Sequence, residues 1–363
     1  MISIKLKAKV AIKKNKIHTK KRFWAGILLA QFLLFFICSR IKAAVKLFEQ
    51  FFELQKAFHQ KLFSVLSFSV GDVFYILIGL FFLIFIIKIL RKKTRNTYSR
   101  KLLIMLNLLY FIYQLFWGML YFQTPLREKL PKGEITVAET KRLTLKYLKL
   151  CRETRSMADE DKNGVFKVDH IAAIEDQILQ NQNKLPAFIT SKKGTSIKMF
   201  KPSLYKGVMS YSGILGYYNP FTAEAQYNPE LPATYLPFTL AHEGMHQVGF
   251  AREQEANFTA YLIGKSSENT ALRYSTQYFV LKSLLNSLNE KNPEFVAEVL
   301  QNYSEGMKRD RLAEKKFKKE HEGLLDIVFG LTNDLFLKSN QQEGSITYSY
   351  FVDLLIRYER LGD

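Results

Sequence analysis

Three long apolar runs in the first third of the chain most constrain what it can fold into. They are FWAGILLAQFLLFFIC (23–38), VFYILIGLFFLIFIIKIL (73–90) and LLIMLNLLYFIYQLFWGMLYF (102–122). Because a helix needs about 20 apolar residues to cross a hydrocarbon core, the second and third runs qualify as spans and the first is short. The first run has no small-x-small cleavage site, which favours a retained anchor over a removed signal peptide. We therefore predict a three-span transmembrane region over residues 23–122.

Positive charge is concentrated beside these runs. The formal charge is +20, but nine Lys/Arg lie in residues 1–22 and six in residues 91–101, with no acid in either segment, which leaves about +5 elsewhere. Charge placed in this way is typical of the cytoplasmic flanks of membrane helices and argues against a nucleic-acid partner. We predict a multi-pass protein of the cell (inner) membrane, with residues 1–22 as a basic cytoplasmic tail, the lipid bilayer as a partner and residues 124–363 as an extracytoplasmic domain.

Between the first two runs, AAVKLFEQFFELQKAF (43–58) is typical of an amphipathic helix. Such a helix can lie on the outer membrane surface, and a solvated connector is the open alternative. The two cysteines, Cys38 and Cys151, form no CxxC pair. They argue against a disulfide scaffold and against a cysteine-ligated zinc.

From about residue 124 the composition is that of a globular domain. Thr136 and Glu139 have the spacing of a capping box, which predicts a helix start. Residues 195–235 are rich in Gly, Pro, Ser and Tyr and predict short strands and turns. Helices are predicted at 168–182, 237–249, 251–264, 272–289, 293–305, 309–339 with a break, and 347–360. The predicted fold class is an α-rich membrane protein: three N-terminal transmembrane helices followed by a mainly helical α+β domain with a small sheet.

Two histidines in LAHEGMHQVGFAREQEANFTAYL (240–262) carry the strongest chemical signal. Residues four apart on a helix project from nearly the same side, so His242 and His246 can reach one metal ion. Glu243 follows the first histidine, where it can touch a metal-bound water without taking a coordination position. This is the HExxH arrangement of zinc hydrolases, in which the glutamate takes a proton from that water. A merely solvated polar helix fits poorly, because the flanking residues are uncharged.

The third ligand must come from beyond the histidine helix. Gly249 is placed to end that helix, and a second helix from about Ala251 can then fold back against it. Glu253 and Glu255 are the two candidates. We favour Glu255, because the neighbouring Ala256 permits a close approach of the helices. Glu253 is instead typical of a solvated acid at a helix start, where the helix dipole favours it.

The motif and its later glutamate resemble the gluzincin metallopeptidases, in which that glutamate is the third zinc ligand. GYYNPFTAEAQYN (216–228), the histidine segment, LRYS (272–275) and GSITYSYFVDLL (344–355) together resemble a bacterial membrane family catalogued as domain of unknown function 3810. That resemblance runs from the first span to the C-terminus. It implies N-terminal spans followed by a zincin-like domain, with no established substrate. Gly244 departs from the family, which usually has a larger apolar residue there.

The segment 216–228 is expected to supply a strand and loop over the cleft. In zincins an edge strand beside the active helix pairs with extended substrate. Tyr217, Tyr218 and Glu224 are therefore candidates for substrate binding, for stabilising an oxyanion or for bonding the histidines. A structural role is the alternative for each.

These observations predict a membrane-anchored zinc metallopeptidase. His242, His246 and Glu255 hold Zn²⁺ with a fourth position left for water, and Glu243 is the catalytic base. The substrate is a peptide or protein outside the cytoplasm, whose identity and the oligomeric state of the enzyme the sequence leaves open. The alternative is a non-catalytic zinc-binding membrane sensor or scaffold. An intramembrane protease fits poorly, because the segment around the histidines is too short and polar to cross a membrane.

Overall fold

The structure is a computed structural model that describes residues 20–323 and 347–362. Within these ranges the chain forms thirteen α-helices and three strands. The helices are α1 (Lys21–Ser39), α2 (Lys42–Phe63), α3 (Val70–Leu90), α4 (Arg95–Phe116), α5 (Val137–Arg155), α6 (Ile171–Gln182), α7 (Lys206–Ser212), α8 (Leu236–Val248), α9 (Glu253–Gly264), α10 (Thr270–Leu288), α11 (Pro293–Gln301), α12 (Glu305–His321) and α13 (Thr347–Glu359). The strands are β1 (Phe200–Pro202), β2 (Gly216–Asn219) and β3 (Glu224–Tyr227). The predicted helix-rich fold with a small sheet is confirmed. Most of the predicted basic tail and the later part of the helix predicted over 309–339 lie outside the described residues.

Two of the described helices, α1 and α3, are long and apolar enough to cross a membrane, where the sequence predicted three spans. The third predicted span, residues 102–122, is divided in the structure. The helix α4 begins earlier, among basic residues, and ends at Phe116, after which Gly118–Phe122 forms a separate 3-10 helix. Residues 118–121 are buried inside the protein. The end of this run is apolar because it packs in a protein core, and the run is not one of the candidate spans among the described residues.

The helix α4 packs against both α1 and α3. The side-chain amide of Asn107 donates to the carbonyl of Trp24 near the start of α1, and Met119 packs with Phe35 near its end, so α1 and α4 run in the same direction. The helix α3 runs the opposite way, because only residues 91–94 join it to α4. The basic residues 20–22 at the start of α1 and the basic connection between α3 and α4 therefore lie at one end of these helices. The domain lies at the other end.

The helix predicted between the first two apolar runs is confirmed as α2. Its buried face carries Phe52, whose ring lies 5.9 Å from that of Trp117 and 6.5 Å from that of Tyr218. Its opposite face exposes Leu54 and Phe58. The helix therefore covers the domain with one face and turns an apolar face outward.

The three strands form a sheet of order β1-β3-β2, with β1 parallel and β2 antiparallel to β3. Within it Tyr217 lies opposite Gln226. Because side chains alternate along a strand, Gly216 and Tyr218 share one face while Tyr217 and Asn219 share the other. The helix α8 packs on the face of Gly216 and is buried along nearly its whole length.

Around α8, the helices α5, α9, α10 and α13 complete the main hydrophobic core. The capping box at the start of α5 is confirmed, because Thr136 Oγ1 accepts from Glu139 N at 3.2 Å and a Glu139 carboxylate oxygen accepts from Thr136 N at 2.9 Å. The prediction of only strands and turns over 195–235 is wrong at α7. Val208 and Tyr211 of this short helix are exposed, so it lacks the buried apolar stripe that would have revealed it.

The sheet face away from α8 receives the N-terminus of α3. Glu224 accepts hydrogen bonds from Gly71 N at 2.6 Å and from Val70 N at 3.1 Å. Ser69 Oγ accepts from Asp72 N at 3.1 Å. The first N–H groups of a helix have no partner within the helix, so the domain and the cap together supply the partners here.

We expect Gly71→Ala to loosen this junction. A Cβ at Gly71 would lie 2.4 Å from Asn219 Nδ2 and 2.5 Å from Gln226 Nε2, whereas a Cβ at Gly79 of the same helix would meet nothing within 4 Å. Overpacking of this kind costs about 1–3 kcal/mol. Thermal unfolding of the full-length protein in detergent should therefore begin several degrees lower in Gly71→Ala and change little in Gly79→Ala. Equal midpoints for the two variants would contradict the close packing described here.

Candidate metal centre

The histidine pair lies on α8, whose C-terminus turns at Gly249. This glycine has φ of +100°, a left-handed conformation that side chains disfavour, and its N–H donates to His246 O at 2.9 Å. The turn lets α9 fold back against α8. Ala256 and Ala260 of α9 are fully buried, as a close approach of helices requires. The predicted helix end, turn and small-residue packing are all confirmed.

His242, His246 and Glu253 come together as three side chains able to bind a metal. His242 Nε2 lies 3.1 Å from Glu253 Oε2, and His246 Nε2 lies 3.5 Å from Glu253 Oε1. One ligand atom from each residue lies within 4.8 Å of the other two, which is close enough for all three to hold one metal ion. No other such group of His, Cys, Asp and Glu occurs among the described residues.

Hydrogen bonds orient both imidazoles. His246 Nδ1 lies 2.6 Å from Phe250 O, and His242 Nδ1 lies 2.7 Å from Asn257 Oδ1. A carbonyl oxygen can only accept, so each Nδ1 carries a proton and donates it. Nε2 of each ring, which faces Glu253, is therefore the atom that would bind a metal when the ring is neutral. Such partners are what hold metal-binding histidines in the correct tautomer.

Glu243 is buried at 4% exposure beside the cluster. Its Oε2 has no hydrogen-bond partner. Burial raises the pKa of this carboxyl to about 7, although the two histidines oppose the rise. A Cβ at Gly216 would lie 2.9 Å from Glu243 Oε1, so only the absence of a side chain on β2 leaves room for this carboxylate.

The carboxylate of Glu253 and the imidazole of His246 each stabilise the charged form of the other. Burial disfavours a charged imidazole, but the carboxylate of Glu253 more than offsets this and raises the pKa of His246 to about 9. Burial likewise opposes ionisation of Glu253, but His246 and His242 outweigh it and lower its pKa. The side chain of Glu253 remains 32% exposed, so the cluster is open to solvent on that side.

The choice of Glu255 as third ligand is wrong in this structure. Its Oε1 accepts hydrogen bonds from Leu126 N at 2.8 Å and from Arg252 Nη1 at 3.1 Å. Glu255 is buried, as predicted, but a backbone amide and a guanidinium satisfy it instead of a metal. Because α9 begins at Glu253, that residue lies at the turn nearest His246, and its place at the helix start does not exclude a site role.

The three candidates from segment 216–228 serve other contacts. Glu224 binds the N-terminus of α3, and the Tyr217 hydroxyl donates to the Asp72 carboxylate in the same helix. Both face away from α8, so the prediction that they bond the histidines is wrong. Tyr218 lies on the α8 face and packs on Trp117 with ring centroids 4.6 Å apart. It supports a neighbour of the site and does not contact the histidines through any described bond.

Sequence reasoning missed three residues at the site. Trp117 meets the His246 ring edge-on at 5.6 Å. Tyr121 is buried nearby, and burial, then Tyr113 and Glu253, raise its pKa well above the usual value. Trp117 and Tyr121 lie in residues 102–122, which were interpreted as a membrane span, and so they were not considered as site residues. Asn257 could have been found, because it follows Glu253 by four residues and so shares its helix face.

The residues of this cluster lie within a segment that matches a known protein family. A family described as protein of unknown function, DUF3810, matches residues 48–356. The chain belongs to the DUF3810 family. The match covers most of α2, the described elements from α3 to α12, most of α13 and all three residues of the cluster. No curated protein and no solved structure matches the chain.

We expect Glu253→Gln to weaken zinc binding by the full-length DUF3810 protein about tenfold or more, the order lost when metal-site support is removed. The matched control is Glu255→Gln, two residues along the same helix. Its amide oxygen can still accept from Leu126 N, so zinc affinity should stay close to wild type. Zinc titration of both variants in detergent measures the two effects. A larger loss of zinc affinity in Glu255→Gln than in Glu253→Gln would identify Glu255 as the third ligand.

Proposed function

We propose that this DUF3810 protein is a membrane-anchored, zinc-dependent peptidase. The proposal rests above all on Glu243, a buried carboxylate with one oxygen unpartnered beside a three-ligand cluster. A buried polar atom normally has a partner, and an orphan of this kind indicates a functional role or an absent ligand. A water bound at the cluster would be such a partner.

The donor set suits zinc. Two imidazole nitrogens and one carboxylate, His242, His246 and Glu253, match the three protein ligands of catalytic zinc sites, which keep a fourth position open. The exposed side of Glu253 gives that position access to solvent. When bound, the ion would polarise a carbonyl and acidify its water.

Glu243 supplies the proton chemistry in this proposal. As a carboxylate, its Oε2 accepts a proton from the attacking water and then donates it to the leaving amine. The side chain is held in place by burial and by its packing against Gly216. No hydrogen bond to Oε2 has to be broken first.

The outer strand β2 is the part of the sheet suited to bind substrate. It pairs with β3 on one side, and no described strand pairs with its other side. An extended peptide can add to such an edge through main-chain hydrogen bonds. Gly216 at the start of β2 adjoins Glu243, so a peptide on this edge would run past the proposed base.

We expect Glu243→Gln to retain zinc and to lose peptide cleavage by about a hundredfold or more, the scale of a general acid–base contribution. The substitution keeps the shape of the side chain but removes its capacity to take a proton. Cleavage of a peptide library by zinc-loaded wild type and variant, together with metal analysis of both, gives the comparison. A wild type that binds zinc and cleaves nothing would favour the alternative, a sensor or scaffold.

The proposal also sets the domain on the outer side of the cell membrane. The basic residues 20–22 and those of 91–101 lie at the helix ends away from the domain, and basic flanks of membrane helices remain in the cytoplasm. The helix α4 does not qualify as a span by its own composition. It nevertheless packs against α1 and α3 and returns the chain to the end where the domain lies.

Labelling of substituted cysteines in intact cells tests this topology. Lys162 and Lys92 are both exposed, the first in the domain and the second in the basic connection. We expect a membrane-impermeant thiol reagent to label Lys162→Cys in intact cells and Lys92→Cys only after permeabilisation. The unsubstituted protein, with Cys151 buried and Cys38 half-buried in α1, gives the background. Labelling of both substituted cysteines from the same side would refute the arrangement.

A further inference from the structure

The metal cluster lies beside the ends of the membrane helices. Trp117 is the first residue after α4, and its ring is 5.6 Å from that of His246. Trp117 also belongs to a small hydrophobic cluster with Phe52 of α2 and Tyr218 of β2. One tryptophan side chain therefore separates the end of α4 from a metal-binding histidine.

The strand β2 also contacts the end of a candidate membrane span. On its face away from α8, the Tyr217 hydroxyl donates to Asp72, which lies in the first turn of α3. Leu204 N donates to the same carboxylate at 2.7 Å. The edge strand and the segment before α7 are thus fastened to the first turn of a candidate membrane span.

Exposed apolar side chains surround this junction. On α2 they share the face turned away from the domain, and near β2 they lie on and beside α7. They are Leu47, Leu54, Phe58 and Leu62 in the first group and Leu204, Val208, Tyr211 and Leu215 in the second. Helices with such a face lie in the interface between lipid headgroups and acyl chains. Both groups adjoin membrane helices, which indicates that the same bilayer covers them.

We propose that the substrate is a polypeptide anchored in the same membrane and that it is cut within a few residues of its anchor. This inference rests on the proposed peptidase activity. An extended chain advances about 3.3 Å per residue. The site is one side chain away from the end of α4. It can therefore cut a peptide bond about six residues or fewer from the bilayer. The apolar rim formed by Leu204 and Leu215 adjoins β2, so a chain leaving the lipid would meet the edge strand directly.

The position of the site is tested first, without reference to activity. The full-length protein carrying Cys38→Ser is given one new cysteine, as Leu54→Cys, Leu204→Cys or Lys162→Cys, and is labelled with a thiol-reactive fluorophore in vesicles. Lipids spin-labelled near the headgroup should quench the labels at 54 and 204 strongly. They should leave the label at 162 bright, because this residue is far from the exposed apolar side chains. Its loop contacts α12 at Arg309, whereas Tyr211 contacts the other end of the same helix at His321. Quenching at 204 no stronger than at 162 would overturn the inference and leave zinc binding untouched.

Cleavage is tested with a mixed-sequence peptide library that carries an N-terminal palmitoyl chain, beside the same library without it. Zinc-loaded full-length protein in vesicles should cut the acylated peptides about tenfold faster or more, through their higher effective concentration. Mass spectrometry should locate cuts within about six residues of the acyl chain. Equal rates, or cuts confined to positions far from the chain, would overturn the membrane-anchored substrate but keep the peptidase. Cleavage of neither library by zinc-loaded protein would overturn both.

Discussion

The burial of the α3 N-terminus against the sheet face away from α8 is the interaction on which the rest of this structure depends. It removes the first amide groups of α3, a candidate membrane span, from water, and each amide would cost about 1–3 kcal/mol if left without a partner. Glu224 and Ser69 accept hydrogen bonds from these amides. Burial raises the pKa of Glu224, while the amides of Gly71 and Val70 oppose the rise because they bind the ionised form. A carboxylate at a helix N-terminus is also favoured by the helix dipole.

This junction fixes β2 between α3, a candidate membrane span, and α8, the helix of the candidate metal site. One face of the strand presents Tyr217 to Asp72, and the other presents Gly216 to Glu243. A shift of β2 by one residue would exchange the two faces, because side chains alternate along a strand. It would place a tyrosine where the buried carboxylate needs open space. The register of a four-residue strand therefore couples the position of α3 to the geometry around Glu243.

The cluster itself is built from the same spacing used twice. His242 and His246 share one face of α8, and Glu253 and Asn257 share one face of α9, because residues four apart on a helix are neighbours. The left-handed turn at Gly249 brings these faces together. Glu253 then meets both Nε2 atoms, while Asn257 binds the remaining nitrogen of His242. One residue pair supplies both the third ligand and the support for the first.

Local patterns in the sequence determined most of the helices, though not α7, together with the capping box at Thr136, the end of α8 at Gly249 and the histidine pair. Each depends on neighbours within about one turn of helix, whose spacing is visible in the sequence. The two candidate membrane spans were also visible in the sequence, as apolar runs of sufficient length. Only the tertiary structure decided which glutamate faces the histidines, that Glu224 and Tyr217 serve α3, and that the end of the third apolar run belongs to a protein core. These depend on contacts between segments far apart in the chain. An apolar or acidic residue has the same pattern whether its partner is lipid, a metal ligand or a distant backbone amide, and only the packing of the folded chain supplies that partner.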